Sequence, residues 1–180
     1  MVRWKFDNGL KKKKKVRGLR RRYKTFVENL TELTKTMPNP NDYGLGYWHL
    51  HLPFSQEYID SKNTPNKFRR DIMQKLIERV EHLINIKTKE HSDYCIYAII
   101  SLPHLFDSQI VAIPDKSWFD GFFERNSAEQ KWIPLDSERN LIKEWNLVLS
   151  SDLIVRGFKE IISDDDFNYE GEIWFIGELN

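Results

Sequence analysis

The sequence predicts an α+β domain, a mostly antiparallel sheet of about five strands with two main helices packed on it. Two observations carry that reading. Two long stretches repeat apolar residues at i+3 and i+4 steps, and five short runs are rich in β-branched and aromatic residues. Most of the links between those runs have hairpin length. Length supplies the third constraint. A chain of 180 residues is one domain, able to bury about 70% of its unfolded surface without a disulfide or a metal.

The first helical stretch runs through Val16, Leu19, Tyr23, Phe26, Leu30, Leu33 and Met37, and Pro38 and Pro40 close it. Before it stands a segment, residues 1–15, that ends in five consecutive lysines. Charges of one sign at that density repel, so this tail is expected to be mobile and the domain to span 16–180. In the second helix Thr64 is expected at the N-cap and Pro65 at the first helical position. Phe68, Ile72, Leu76, Val80, Leu83 and Ile84 form its apolar stripe, to about Ile86.

Tyr47–Leu52 alternates and ends at Pro53, so it reads as a strand. Tyr94–Leu102 (YCIYAIISL) reads as a buried strand, and Ser108–Ile113 as its hairpin partner. Pro114–Pro134 is aromatic and irregular, with no assignable element; Asn140–Leu149 fits a strand and a short helix equally. Gly157–Ile162 and Gly171–Leu179 close the sheet, joined by an acidic turn over Ser163–Tyr169.

Charge is split unevenly. Residues 1–24 hold twelve Lys or Arg against one acid, Asp7, a net of +11; the remaining chain holds sixteen bases against twenty-six acids, a net of −10. A single cysteine, Cys95, excludes an internal disulfide framework and a multi-thiolate metal site. Cys95 is expected within a buried apolar strand, where a thiolate is disfavoured. No apolar run approaches the ~20 residues of a membrane helix, and the basic N-terminus lacks the apolar core of a signal peptide. A cytoplasmic protein without membrane association is the expectation.

Four groups of residues have the right types for chemistry. His49 and His51 sit two apart on one strand face, about 7 Å apart at ~3.4 Å per residue. They can ligate a metal or exchange protons if a third group converges. His82, His91 and His104 are available, but no recognised spacing joins them, and hydrogen bonding on a half-buried strand face explains the pair equally. Lys67, Arg69 and Arg70 crowd the start of the second helix. With Thr64 they form an anion-binding candidate, against which stands plain pairing of a base with Asp71. Lys11, Lys12, Lys13, Lys14, Lys15, Arg20, Arg21 and Arg22 are nucleic-acid candidates, with Trp4 and Phe6 available for stacking. Asp164, Asp165 and Asp166 are contiguous, which rules out an EF-hand loop. Beside Trp174 and Phe175 they are candidates for docking a basic partner. Glycine phosphate loops, G-x-S-x-G, H-E-x-x-H and C-x-x-C are absent, so no cofactor and no resident metal are expected.

Five segments also carry a resemblance. They are Arg17-Gly-Leu-Arg-Arg-Arg22, Tyr47-Trp-His-Leu-His-Leu-Pro53, Ser61-Lys-Asn-Thr-Pro-Asn-Lys-Phe-Arg-Arg70, Glu144-Trp-Asn-Leu147 and Gly171-Glu-Ile-Trp-Phe-Ile-Gly-Glu-Leu179. Across residues 17–179 the chain resembles an uncharacterised bacterial domain family of Gram-positive, bacillus-type genomes. The resemblance implies a small cytoplasmic protein. None of these segments is a general chemical motif, so it transfers no catalytic residue.

The functional expectation is a non-enzymatic protein-binding module, an immunity-type binder of a basic toxin or similar partner. Two alternatives stand beside it: a nucleic-acid-associated protein acting through the basic N-terminal segment, and a hydrolytic or metal-dependent enzyme centred on His49 and His51.

Overall fold

The computed structural model describes residues 48–51, 65–87, 92–105, 108–113, 132–135, 141–164 and 167–178, with single positions at 21, 23–25, 28, 89, 120–121, 124–126 and 129. The side chains of 48–51, 162–164 and 167 are outside that description. In chain order the elements are β1 (Trp48–His51), α1 (Asn66–Asn85), β2 (Cys95–Leu102), β3 (Gln109–Ile113), β4 (Trp132–Pro134), α2 (Leu141–Trp145), β5 (Ile154–Asp164) and β6 (Phe167–Gly177). The strands form one sheet of order β1-β3-β2-β6-β5-β4, with every pairing antiparallel.

This is the α+β architecture expected, with one more strand. The sixth is β4, three residues in the aromatic stretch where the sequence shows no period. Among the described residues one long helix, α1, and the five-residue α2 accompany the sheet. The helix expected over 16–37 is described only at 21, 23–25 and 28, all helical. There Tyr23 stacks on Phe68 of α1, ring centroids 3.5 Å apart and 13° from parallel.

α1 starts one residue later than expected. Pro65 is the N-cap, not the first helical residue; its carbonyl accepts from Phe68 N–H at 2.9 Å, and no side chain caps the helix. Thr64 lies outside the described residues. Phe68, Ile72, Leu76, Val80 and Leu83 are buried as the stripe required, and Met73 and Ile77 widen the face. Ridges of that width cover a sheet, and α1 packs on β2, β3 and β6.

β2 shows why a continuous apolar run suits a central strand. Ile96, Ala98 and Ile100 join the core under α1, while Tyr97 and Ile99 belong to a second cluster with Val111, Trp132, Phe158 and Phe175. Alternation sends neighbours to opposite faces, and both faces are apolar. Burial and, to a lesser degree, the nearby Cys95 raise the Tyr97 phenol far above its ordinary value. The β2–β3 hairpin closes through Ser108, whose hydroxyl accepts from Ser101 N–H at 3.1 Å.

The ambiguous stretch at 140–149 is a short helix followed by extended chain. Asn146 has φ 51° and sits just past α2, while Leu147 N–H reaches Ile142 C=O at 2.8 Å and Asn146 N–H reaches Lys143 C=O at 3.3 Å. That six-to-one and five-to-two pair is a Schellman stop, which asparagine tolerates in place of glycine. Two side chains of α1 hold the chain that follows. Gln74 accepts from Val148 N–H at 2.9 Å and donates to Val148 C=O at 2.8 Å; Glu81 accepts from Ser150 N–H at 2.7 Å.

Candidate functional site

Ser150, held by Glu81, forms part of one wall of a cavity of about 340 Å³ at the end of the sheet opposite the β5–β6 turn. The last turn of α1 supplies Glu81, Ile84 and Asn85, and Lys87 follows it. The entry to β2 supplies Ser92, Asp93, Tyr94 and Cys95. The approach to β5 adds Ser150, Asp152 and Leu153, and Glu178 comes from the residue after β6. Four carboxylates therefore face one ammonium across walls that include the apolar Ile84, Leu153 and Tyr94.

The floor is a defined polar network. Lys87 Nζ donates to Glu178 Oε2 at 2.8 Å and to Tyr94 C=O at 2.9 Å. The same Glu178 oxygen accepts from Ile96 N–H at 3.3 Å, and Glu178 N–H donates to Ile96 C=O at 3.0 Å. Lys87 and Glu178 side chains are 17% and 28% exposed, so this pair is sheltered from bulk water. Burial raises the Tyr94 phenol above its ordinary value.

Among the described residues the other three acids have no such partner. Asp93 accepts from Ser92 Oγ at 3.3 Å and Asp152 from Ser151 Oγ at 3.2 Å, and Glu81 holds Ser150. Among the described residues no Lys or Arg pairs with any of them. Nor do the described residues place three or more His, Cys, Asp or Glu to hold one metal ion. Cys95 corrects an expectation. It is the first residue of β2, half-buried on the cavity wall, because the strand enters the sheet there and its α1-side neighbour is Ile96.

The residues singled out from sequence lie elsewhere. His49 and His51 are in β1, at register positions opposite Val111 and Gln109. Lys67 is exposed in the first turn of α1, which has no acid, and Arg70 pairs with its neighbour Asp71 at 3.3 Å. Arg21 is exposed at a helical position. Asp164 ends β5 opposite Phe167. Lys11–Lys15, Arg20, Arg22, Thr64, Asp165 and Asp166 lie outside the described residues. The cavity acids escaped sequence reading because they come from four separate parts of the chain, and no local spacing marks them. The net of −10 beyond residue 24 was their one trace.

The turn-proximal half of the β5–β6 hairpin is also longer than expected. Its strands pair to Asp164 and Phe167, so the turn is not the seven residues Ser163–Tyr169. β2 pairs with β6 only from Glu172 onward, and β4 with β5 only up to Glu160.

The model of the family described as proteins of unknown function, DUF3916, matches residues 27–178. The chain belongs to that family. The match spans both the cavity and the hairpin, so each is built from residues of the DUF3916 domain. No curated protein and no solved structure matches the chain. No helix among the described residues is long and apolar enough to cross a membrane.

Proposed function

We propose that this chain is a non-enzymatic binding module that docks a basic protein, in the manner of an immunity protein held against a cytoplasmic toxin. The observation that carries the reading is the cavity, where four carboxylates meet one lysine in a chain whose net charge beyond residue 24 is −10. Such a field draws a cationic partner in before contact and selects against acidic ones.

The hairpin supports the same reading. Past Glu160 and Glu172 the β5–β6 ribbon outruns its described neighbours, and the sequence there carries Asp164, Asp165, Asp166 and Glu170 without a Lys or Arg from 163 to 180. Glu170 is 68% exposed and pairs with Lys159 across the ribbon.

The test is co-purification from the native cell at low salt, followed by binding kinetics. A basic protein should be recovered, and the Asp164→Asn, Asp165→Asn, Asp166→Asn triple variant should associate with it more slowly, most visibly at low salt. Recovery of RNA or DNA released by substitutions in Lys11–Lys15 would replace this reading with the nucleic-acid one. Hydrolytic activity lost on replacing His49 and His51 would replace it with an enzyme.

A further inference from the structure

We infer that the outer edge of β5 beyond Glu160 takes an extended, Lys- or Arg-bearing segment of another protein as an added strand. The inference deepens the basic-partner reading and rests on it for the partner's identity, while the geometry of the edge stands by itself.

The first argument is where the backbone groups point. Leu135 N–H donates to Gly157 C=O at 2.9 Å, one step past Pro134 opposite Phe158 in the β4–β5 register. In an antiparallel ladder a directly opposed pair joined this way faces its partner, and every second residue of the strand faces the same side. The backbone of Gly157, Lys159, Ile161 and Ser163 therefore turns toward β4, while that of Phe158, Glu160, Ile162 and Asp164 turns toward β6.

The second argument is that β4 stops short. It begins at Trp132, opposite Glu160, so among the described residues nothing pairs with Ile161 or Ser163 on that side. Carried on in register, β4 would bring residue 129 opposite Ser163. Glu129 instead gives its N–H to Arg125 C=O at 3.0 Å, a bond of helical spacing, so the chain has left the edge by that point. Ile161 and Ser163 then offer two N–H donors and two C=O acceptors in strand geometry, which is a template for an incoming strand.

The third argument is charge, which selects the occupant. The edge runs into Asp164, Asp165 and Asp166, the exposed Glu170 stands opposite Ile161 on β6, and no Lys or Arg occurs from 163 to 180. A second copy pairing here would set acids against acids, which destabilises neighbouring strands. A basic strand sets opposite charges side by side.

The test is NMR on the full-length, nitrogen-15-labelled chain at low salt, with an acetylated, amidated octapeptide of alternating lysine and threonine as the probe. In the free chain the Ile161 and Ser163 amides should exchange with solvent faster than those of Ile162 and Asp164, and the peptide should slow and shift them. Two other peptides should bind about tenfold more weakly: a glutamate–threonine counterpart, and a lysine–threonine peptide N-methylated at two adjacent central residues to block both its edges. Ser163→Pro removes one outward donor and no bond to β6, so it should keep the fold and weaken the peptide to the same extent. If that variant fails to fold, the exchange rates and the N-methylated peptide still decide. Slow exchange at Ile161 and Ser163 in the free chain, or equal binding of either weakened peptide, would overturn the proposal. So would a dimer in sedimentation that Ser163→Pro dissolves, because the edge would then belong to a second copy. A basic protein from the native cell that binds wild type and Ser163→Pro alike sinks the added strand and spares the basic-partner reading. Peptide protection of Ile161 and Ser163 with no basic protein recovered does the reverse.

Discussion

Gly157 lies directly opposite Trp174 in the β5–β6 ladder, and a Cβ on Gly157 would stand 2.4 Å from Cζ3 of the indole. The ring therefore lies across the bare glycine, which lets Trp174 reach 5% exposure while its Nε1 donates to Glu172 Oε2 at 3.2 Å. Gly157→Ala should push the indole out of place and cost about 1–3 kcal/mol, as overpacking does. Urea denaturation should show a lower midpoint with an unchanged slope.

Gly171 gives a second version of the same device. Tyr169 folds over it so that its hydroxyl donates to Leu102 C=O at 3.4 Å, and a Cβ there would collide with that hydroxyl and with the carbonyl. Gly171→Ala should lower the thermal midpoint by several degrees. Adding Tyr169→Ala should recover part of that loss, because one of the two colliding groups has gone, and a double-mutant cycle reads the difference.

Gln74 ties α1 to the extended chain through both backbone groups of Val148. Gln74→Ala removes two hydrogen bonds at an exposed site, an expected cost of about 1–2 kcal/mol. Gln74→Glu keeps the acceptor for Val148 N–H and sets a carboxylate against Val148 C=O. It should be no more stable than the alanine variant, and hydrogen exchange at Val148 and Ser150 should quicken in both.

Tyr97 predicts a pH dependence. Burial disfavours its phenolate, so the folded chain keeps the proton at pH values where the unfolded chain, near the ordinary value of 10.0, gives it up. The raised folded value means that this contribution to stability is complete below about pH 10 and declines as pH climbs above it. In Tyr97→Phe the decline above pH 10 should be shallower, and in the wild type one of the seven tyrosines should ionise only as the protein unfolds, read by ultraviolet titration.

Much of the scaffold was legible before any coordinates. The α1 stripe, the doubly buried β2, its hairpin with β3 and the two closing strands all follow from side-chain period, and the period is local. The glycines misled the reading at strand ends. Gly157 and Gly171, expected as the first residues of their strands, both lie inside longer strands where a ring from another position needs the missing Cβ. That need is invisible until Trp174 and Tyr169 are placed.

The sequence by itself determined which residues turn inward and that a basic segment precedes an acidic body. The tertiary structure alone decided the strand order, the sixth strand, and the gathering of Glu81, Lys87, Asp93, Asp152 and Glu178 around one cavity. Helix and strand periods are properties of neighbouring residues, whereas ladder pairing and the meeting of chain segments up to ninety-seven positions apart, from Glu81 to Glu178, are set by how a whole apolar sheet and helix bury one another.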